Sequence, residues 1–407
     1  MAIQFIEIDL KQPIQSLFIQ KKTKRLWILA YWGDQPLGWM RINQHIELSL
    51  LRERIVRTFS WDLWQKAIAS NLVNNNSDRH PFPISVIVCT RDRRISLERC
   101  LKSLKQQDYI SYEVVIIDNG SSDRSIRDLV VEYGFLYVRE DRPGLDWARN
   151  RGVQAASHEI IAFIDDDALA SPGWLRGIAY GFSDPEIMVV TGLVLPAELK
   201  TQAQFDFESY GGMGKGFYRF TIQQNTLRDH QKYWASSLGV GTNMAFRRRL
   251  FDIIGDFDVA LDVGTPSCGG GDIEFFYRTI DAGCTLRYEP SALVRHFHRK
   301  DQKSLNRQIY NNGRSFPNYL LTVARKQPQK RWAVIRFALY HWFWRWLLRR
   351  ILSGIIRGDV IELRFGLIEF WGSLSSLPAY WQSQRTAARL NAQGEKLVYK
   401  VDSFIGS

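Results

Sequence analysis

Cysteine is scarce in this sequence, and its spacing excludes a CxxC metal or redox motif. Four of the 407 residues are cysteines, at positions 89, 100, 268 and 284, and no two of them form a CxxC pair. Cys89 and Cys284 lie in apolar segments, where a buried free thiol is the ordinary expectation. A reducing compartment therefore suits the chain best.

The sequence also has no signal-peptide pattern and no uninterrupted apolar run of membrane-spanning length. It begins MAIQFIEIDLKQ, with acidic residues where a signal peptide has a basic start and an apolar core. Its most aromatic segment, FALYHWFWRWLLRRILSGII, is interrupted by Arg345, Arg349 and Arg350, whereas a transmembrane helix needs roughly 20 apolar residues with few charges. We therefore expect a cytoplasmic protein.

Positive charge is present in excess. The chain carries 54 Lys and Arg against 42 Asp and Glu, a net charge of +12, which predicts attraction to nucleic acid, an acidic membrane surface or a phosphorylated substrate. Residues 325–357 contain nine Lys or Arg and no Asp or Glu, among many Trp and Phe. This pattern is typical of a helix lying on anionic lipid, and the alternative is a helical pair packed on the rest of the chain with solvated arginines. We expect a peripheral position on the inner face of the cytoplasmic membrane, and no nucleic-acid partner.

Three regions follow from the pattern of apolar residues. Residues 1–80 alternate apolar and polar in short runs and then show helical periodicity, which predicts a small antiparallel sheet and a helix before the linker NNNSDRHPFP. Residues 81–310 show short apolar runs separated by amphipathic helices, the pattern of an α/β domain with a mostly parallel sheet and helices on both faces. Residues 311–407 form a helical, basic and aromatic region with amphipathic helices.

Polar residues follow the first two strands of the predicted α/β domain, where ligands bind to such sheets. ISVIVCT ends in Thr90 and is followed by Arg91, and YEVVIID ends in Asp118. The Asp118 carboxylate can accept hydrogen bonds from a nucleoside, and the alternative is an Asx turn or a helix cap. The segment RPGLDWARNRG opens a helix after a glycine, where Arg142 and Arg149 can bind phosphate, and the alternative is a capped surface helix.

An aspartate triplet follows the apolar strand IIAFI. Asp165, Asp166 and Asp167 repel one another, and no fold gains stability from crowding them unless a cation or several donors compensate. Magnesium and manganese prefer oxygen ligands and often bind through one or two carboxylates and substrate phosphates. Strand alternation points Asp165 and Asp167 to one side and Asp166 to the other. The alternative is an acidic loop with one N-cap.

Two later segments carry further candidates. In TPSCGGGDIEFFYR, three glycines precede Asp272, which can act as a general base or as an N-cap, and the two roles are compatible. In LVRHFHRK, His296 and His298 share one face of a predicted strand, where imidazole can complete a metal shell or contact phosphate. Two histidines on an exposed strand are otherwise unremarkable.

Taken in order, these segments resemble the family 2 glycosyltransferases of the GT-A fold. ISVIVCTRDR is similar to their opening strand, IIDNGSSD to their nucleoside strand, and GLDWARNRG to their AxNxG helix. FIDDDALASPGWL is similar to their DxD strand, GTNMAFRRRLFDIIGDFD to their acceptor-side strand, and GGGDIEFFYR to their ED-type motif. The resemblance covers roughly residues 84–300. Two departures are Gly271, where the family often has Glu, and Asn119, where it has a second Asp.

The resemblance implies a set of roles. The nucleotide sugar would be bound by Thr90, Arg91, Asp118, Asn150, Asp165 and Asp166; a divalent metal, manganese or magnesium, by Asp167 and His296; and Asp272 would be the catalytic base. The implied reaction is metal-dependent inverting transfer of one sugar from a nucleotide-diphosphate sugar to a hydroxyl of a glycan or lipid-linked acceptor. QPQKRW lacks the QxxRW spacing of processive synthases. The alternative is an inactive nucleotide-sugar-binding or scaffold protein at the membrane.

Overall fold

The computed structural model describes residues 3–12, 25–33, 35–42, 48–72 and 82–405. It begins with a three-stranded sheet and a helix: β1 (Ile3–Asp9), β2 (Arg25–Trp32), β3 (Gln35–Ile42) and α1 (Leu48–Leu72). The prediction of an antiparallel sheet holds for β2 and β3 and is wrong for β1 and β2, which are parallel. The chain between β1 and β2 is long enough for a parallel return, which needs a dozen or more residues. Most of the predicted linker lies outside the described residues.

The second sheet is mixed, and its parallel half carries the first strands of the predicted α/β domain. In the described chain nine strands take the order β10-β12-β9-β11-β7-β4-β5-β6, with β8 paired to β12. The pairs β7-β4, β4-β5 and β5-β6 are parallel, whereas β11 runs antiparallel between β7 and β9. The strands are β4 (Ile84–Thr90), β5 (Tyr112–Asp118), β6 (Leu136–Arg139), β7 (Ile160–Ile164), β8 (Ala168–Ala170), β9 (Ile187–Pro196), β10 (Phe220–Ile222), β11 (Asn243–Arg247) and β12 (Thr285–His296).

Helices cover both faces of this sheet because its central strands are apolar on both sides. Val86 and Val88 of β4 face one core, whereas Ile87 faces the other. This confirms the predicted α/β class. The helices of this part are α2 (Arg94–Leu104), α3 (Ser125–Glu132), α4 (Leu145–Ala155), α5 (Trp174–Gly181), α6 (Gln202–Tyr210), α7 (Asp229–Lys232), α8 (Arg249–Ile254) and α9 (Gly271–Asp281).

The amino-terminal sheet packs directly on the larger sheet. Leu29 and Tyr31 of β2 share an apolar cluster with side chains of β9 and β12. Both carboxylate oxygens of Glu7 accept hydrogen bonds from Arg295, at 2.5 and 2.9 Å. Arg295 is the residue before His296, so the amino-terminal sheet supports the strand that delivers this histidine.

The carboxy-terminal helices form a layer beside the larger sheet. Glu369 is buried among them and accepts hydrogen bonds from Tyr210 (2.6 Å) and Trp346 (3.2 Å), which ties this layer to α6. Among the described helices, none is both long and apolar enough to span a bilayer. The elements are α10 (Gln302–Lys326), α11 (Arg331–Arg336), a π-helical stretch (Phe337–Leu348), α12 (Arg349–Arg357), α13 (Val360–Leu374) and α14 (Ser376–Ile405).

Candidate active site

The aspartate triplet forms a tight turn at the end of β7. The Ala168 amide donates to the Asp165 carbonyl at 3.1 Å. Oxygens of Asp165 and Asp167 and a ring nitrogen of His296 all lie within 4.8 Å of one another. Asp166 faces elsewhere and accepts hydrogen bonds from Thr90 Oγ1 (2.7 Å) and Arg93 (3.0 Å). The structure therefore has the alternation expected of a strand end, with two of the three carboxylates converging on the histidine.

His296 reaches the triplet because β8 pairs with the end of β12. In this antiparallel ladder His296 lies opposite Ala168, and the Phe297 amide donates to the Asp167 carbonyl at 3.0 Å. His296 Nε2 then lies 3.1 Å from Asp167 Oδ1. The sequence predicted that His296 and His298 share one face of a strand. In the described structure His296 contacts the triplet, whereas His298 contacts Glu208.

His298 forms a second layer behind His296. Their Nδ1 atoms are 3.1 Å apart, and His298 Nε2 lies 2.8 Å from Glu208 Oε1. Both histidines are buried. The result is a continuous row, Glu208, His298, His296 and Asp167, in which each side chain orients the next. Glu208 comes from α6, 90 residues before His298 in the chain, and no local sequence signal pointed to it.

The electrostatics of the triplet favour a bound cation. Burial raises the pKa of Asp165, and the neighbouring Asp167 charge adds to this rise. Burial also acts to raise the pKa of Asp167, but His296 and Arg93 outweigh it and bring the pKa to about 2. Two carboxylates and one imidazole are a suitable ligand set for Mn²⁺ or Mg²⁺. The residues present therefore fit a divalent metal at Asp165, Asp167 and His296.

Asp272 is connected to this cluster by hydrogen bonds through two consecutive residues, Gly241 and Thr242. Thr242 lies opposite Asp165 because Asn243 pairs with Ile164 in the β11-β7 ladder, and its hydroxyl donates to Asp165 Oδ2. The preceding Gly241 amide donates to Asp272 Oδ2 at 2.8 Å. The N-cap of α9 is Gly270, with φ of 104°, so the N-cap interpretation of Asp272 is wrong.

A buried arginine lies next to both carboxylates. Arg149 forms an ion pair with Asp146 at 2.9 Å, and both side chains are almost completely buried. The positive charge of Arg149 also acts on Asp165 and Asp272. The sequence suggested that Arg149 binds phosphate directly. In the structure its guanidinium is buried and pairs with Asp146 instead.

Lys215 is the second cation near Asp272. Its burial lowers the pKa of the Lys215 ammonium, and the Asp272 charge opposes that change.

Arg142, the other predicted phosphate ligand, instead donates twice to Glu140 at 2.8 Å and stacks over the Trp147 ring. The loop before α4 is thus held by its own ion pair.

The remaining predicted nucleotide residues are placed differently from one another. Asp118 is fully buried at the end of β5, where it accepts from the Ser121 amide at 2.9 Å and from the Tyr137 hydroxyl at 2.7 Å. The Ser121 amide is three residues on, one residue beyond the bond of an Asx turn. Arg91 is exposed. The Asn150 side chain bonds to the Phe257 backbone: its amide nitrogen donates to the Phe257 carbonyl and its oxygen accepts from the Phe257 amide, both at 3.0 Å. Asn150 therefore braces the loop after α8.

A cavity of about 580 Å³, lined by four basic and three acidic side chains, includes Asp167. It is an open cleft beside the metal-fitting cluster, and its basic side chains suit phosphate oxygens. The sequence interpretation missed these residues, although RDRR after β4 and RK after His298 are visible as short basic runs. The basic residues lining it are Arg93, Arg94, Arg299 and Lys300.

The fold and the site together define an α/β enzyme with an acidic, metal-fitting cluster at the strand ends. Residues 85–255 match the model of Glycosyl transferase family 2. This match confirms the resemblance to family 2 glycosyltransferases that the sequence motifs carry, over 171 of the 407 residues.

Similar proteins of known name support this resemblance to glycosyltransferases. A glucosyl-dolichyl phosphate glucuronosyltransferase from Haloferax volcanii is 24% identical over 183 residues, which are 43% of this chain and 56% of that protein. A pre-mycofactocin glycosyltransferase from Mycobacterium tuberculosis is 25% identical over 264 residues, or 62% of this chain and 51% of that protein. This chain thus spans little more than half the length of either relative.

Among solved structures, a mannosyltransferase from Pyrobaculum calidifontis in complex with GDP-Man and Mn²⁺ is similar, with 18% identity and a TM-score of 0.44. The match covers 85% of this chain and 90% of that one.

Proposed function

We propose that this protein transfers one sugar, with inversion, from a nucleotide-diphosphate sugar to a hydroxyl acceptor, in a metal-dependent reaction. The observation that carries the proposal is the link at Gly241 and Thr242, which holds Asp272 beside the Asp165, Asp167 and His296 cluster. A leaving-group site and a base site therefore lie next to each other. This is the arrangement that a single displacement needs.

The leaving-group side is assigned to the cluster and the adjoining cavity. Asp165, Asp167 and His296 would hold Mn²⁺ or Mg²⁺, which when bound neutralises the charge of the departing diphosphate. Arg93 and Arg299, in the cavity beside Asp167, would pair with phosphate oxygens. Arg93 already donates to Asp166 and Asp167, at 3.0 and 3.3 Å, so it is oriented toward this position.

The nucleoside is assigned to the ends of β4 and β5. Thr90, Arg91 and Asp118 are the proposed contacts. Asp166 orients Thr90 and Arg93 by accepting a hydrogen bond from each. We do not retain Asn150 in this group because its amide is bonded to Phe257.

The acceptor side is assigned to Asp272. Its Oδ2 is fixed by the Gly241 amide, and its Oδ1 accepts from the Ile273 amide at 2.9 Å. A carboxylate has about four lone-pair positions, so further positions remain to accept the proton of an attacking hydroxyl. The positively charged side chains of Arg149 and Lys215 lie near Asp272.

The test is turnover of a panel of nucleotide-diphosphate sugars with Mn²⁺, followed by NMR assignment of the anomeric configuration of the product. We expect inverted product, dependence on the metal, and loss of turnover in Asp167→Asn. Asp252→Asn, at an exposed position on α8, is the matched control and should behave as wild type. A protein that binds donors but never turns them over would instead be the inactive binding or scaffold protein.

We also propose that the carboxy-terminal helices rest on an anionic membrane surface, on the inner face of the cytoplasmic membrane. Large aromatic side chains on these helices are more than half exposed, and the interleaved arginines are exposed as well. Apolar patches of this kind mark interaction sites, and the basic charge favours anionic lipid. The aromatic residues are Trp332, Trp344, Trp371 and Trp381, and the arginines are Arg331, Arg336, Arg345, Arg349 and Arg357.

A further inference from the structure

A second cavity, of about 520 Å³, lies between α10 and α13. Among the described residues that line it, none is acidic, and two are arginines. Arg307, Asn311 and Arg314 are spaced by four and three residues, so they lie on one face of α10. Asn306, Tyr310 and Cys268 also line the cavity. Its walls are therefore cationic and rich in hydrogen-bond donors.

Arg314 is held in place by neutral groups. Its guanidinium donates to Ser375 Oγ (2.8 Å), Tyr310 OH (3.0 Å) and the Pro266 carbonyl (3.2 Å). A guanidinium has five donors, so these bonds orient Arg314 without using all of them. No carboxylate of the described chain pairs with Arg314 or with the exposed Arg307. The positive charge of the cavity is thus uncompensated.

The cavity lies close to the proposed base. Cys268 lines it, and Asp272 follows four residues later. Four residues span at most about 14 Å even when fully extended, so the Cys268 wall of the cavity lies within a distance of Asp272 that an extended acceptor can bridge. On its other side the cavity includes Ile368 of α13, three residues before the exposed Trp371. The cavity thus lies between the loop that precedes Asp272 and the helix that carries the exposed Trp371.

We propose that this cavity binds the phosphate or diphosphate group of a phosphorylated acceptor. The inference deepens the proposed transfer and rests on it, because it names the class of acceptor. Arginine side chains give planar, charge-assisted contacts to phosphate. The same chemistry is offered by a bilayer headgroup, so the experiment has to separate the two sources.

The first arm measures binding of hexyl phosphate by titration calorimetry in EDTA, with no nucleotide present. Arg307→Gln should weaken binding about tenfold, the loss expected for one charge-assisted contact. The Arg307 side chain makes no described bond, so the fold should be kept. Arg314→Lys is the second variant and should also bind more weakly; its melting temperature is measured as well, because Arg314 donates three hydrogen bonds to its neighbours. Lys303→Gln, an exposed position on α10 outside the cavity, should bind as wild type. Equal binding by wild type and Arg307→Gln, or an equal loss in Lys303→Gln, would overturn the proposal.

The second arm measures flotation with vesicles of phosphatidylcholine and phosphatidylglycerol. Arg307→Gln and Lys303→Gln should float equally well. If Arg307→Gln alone loses flotation, the cavity binds bilayer headgroups and the assignment to the acceptor is wrong. Turnover of the donor panel by wild type is measured separately. Failure of that assay rejects the transfer reaction, whereas failure of the hexyl phosphate titration rejects only this cavity.

Discussion

The charged groups on the donor and acceptor sides of the proposed site are held in opposite ways. On the donor side, at the ends of β4, β5 and β7, Asp118, Asp165 and Asp166 each accept hydrogen bonds from their own chain. On the acceptor side, along α10 and α13, Arg307 and Arg314 have no acidic partner in the described chain. The donor side is thus preorganised for one kind of ligand, whereas the acceptor side keeps free charge and exposed aromatic surface for a partner.

The largest effect is expected where the two sides meet. Asp272→Asn keeps an oxygen for the Gly241 amide but removes the proton acceptor, so kcat should fall about 10²- to 10⁴-fold with little change in the KM for the donor. Steady-state kinetics on the transfer reaction measures this. Asp128→Asn, on the exposed surface of α3, is the control. A rise in the donor KM with unchanged kcat would move Asp272 to the donor side.

The stability of the donor side depends on the buried ion pair between Arg149 and Asp146. Arg149→Met would leave Asp146 buried with no cation, and removing one partner of a buried pair costs about 3–5 kcal/mol of the free energy of unfolding. Denaturant unfolding measures this cost. The comparison is Lys102→Met, which breaks an exposed pair with Glu98 and should leave the free energy of unfolding nearly unchanged. Equal losses in the two variants would show that Arg149 and Asp146 do not anchor the site.

A smaller effect is expected behind His296. Glu208→Ala removes the carboxylate that orients His298, and through it His296. Losses of such outer contacts typically weaken metal affinity about 10- to 100-fold. A Mn²⁺ titration followed by electron paramagnetic resonance measures the change, and the exposed Glu186→Ala is the control. Unchanged Mn²⁺ affinity in Glu208→Ala would show that Glu208 and His298 do not contribute to metal binding.

The smallest effects are expected on the aromatic surface, where many side chains share the contact. Trp344→Ala and Trp371→Ala should each lower binding to anionic vesicles a few-fold, with stronger binding at low salt. Trp61→Ala is the matched control, because Trp61 is 69% exposed on α1 at the other end of the chain. Equal losses in all three would mean that exposed tryptophan binds vesicles wherever it lies.

The sequence allowed the donor side to be predicted much further than the acceptor side. Asp118 and the triplet follow apolar strands directly, and in a parallel sheet that position alone brings them to one edge. Thr242 and Gly241 escaped notice because their contacts depend on the β11-β7 register. Glu208 was missed for a similar reason, since it meets His298 only through the packing of α6.

The differences between the sequence predictions and the structure have equally local causes. Arg149 and Asn150 lie in a motif that suggested ligand contact, yet their side chains point into the protein and pair with Asp146 and Phe257. Alternating apolar residues cannot distinguish parallel from antiparallel strands, so the β1-β2 pairing was wrong. The charges of residues 325–357 were visible, but the cavity beside Arg314 needs residues from three separate segments.

Metal binding by three variants tests the central claim most directly, because it separates the cluster from the base without any knowledge of the substrate. Mn²⁺ is titrated into wild type, Asp167→Asn, His296→Ala and Asp272→Asn, and the free ion is followed by electron paramagnetic resonance. We predict one site in wild type, its loss in Asp167→Asn and His296→Ala, and its retention in Asp272→Asn. Full Mn²⁺ affinity in Asp167→Asn, or a loss confined to Asp272→Asn, would contradict the account.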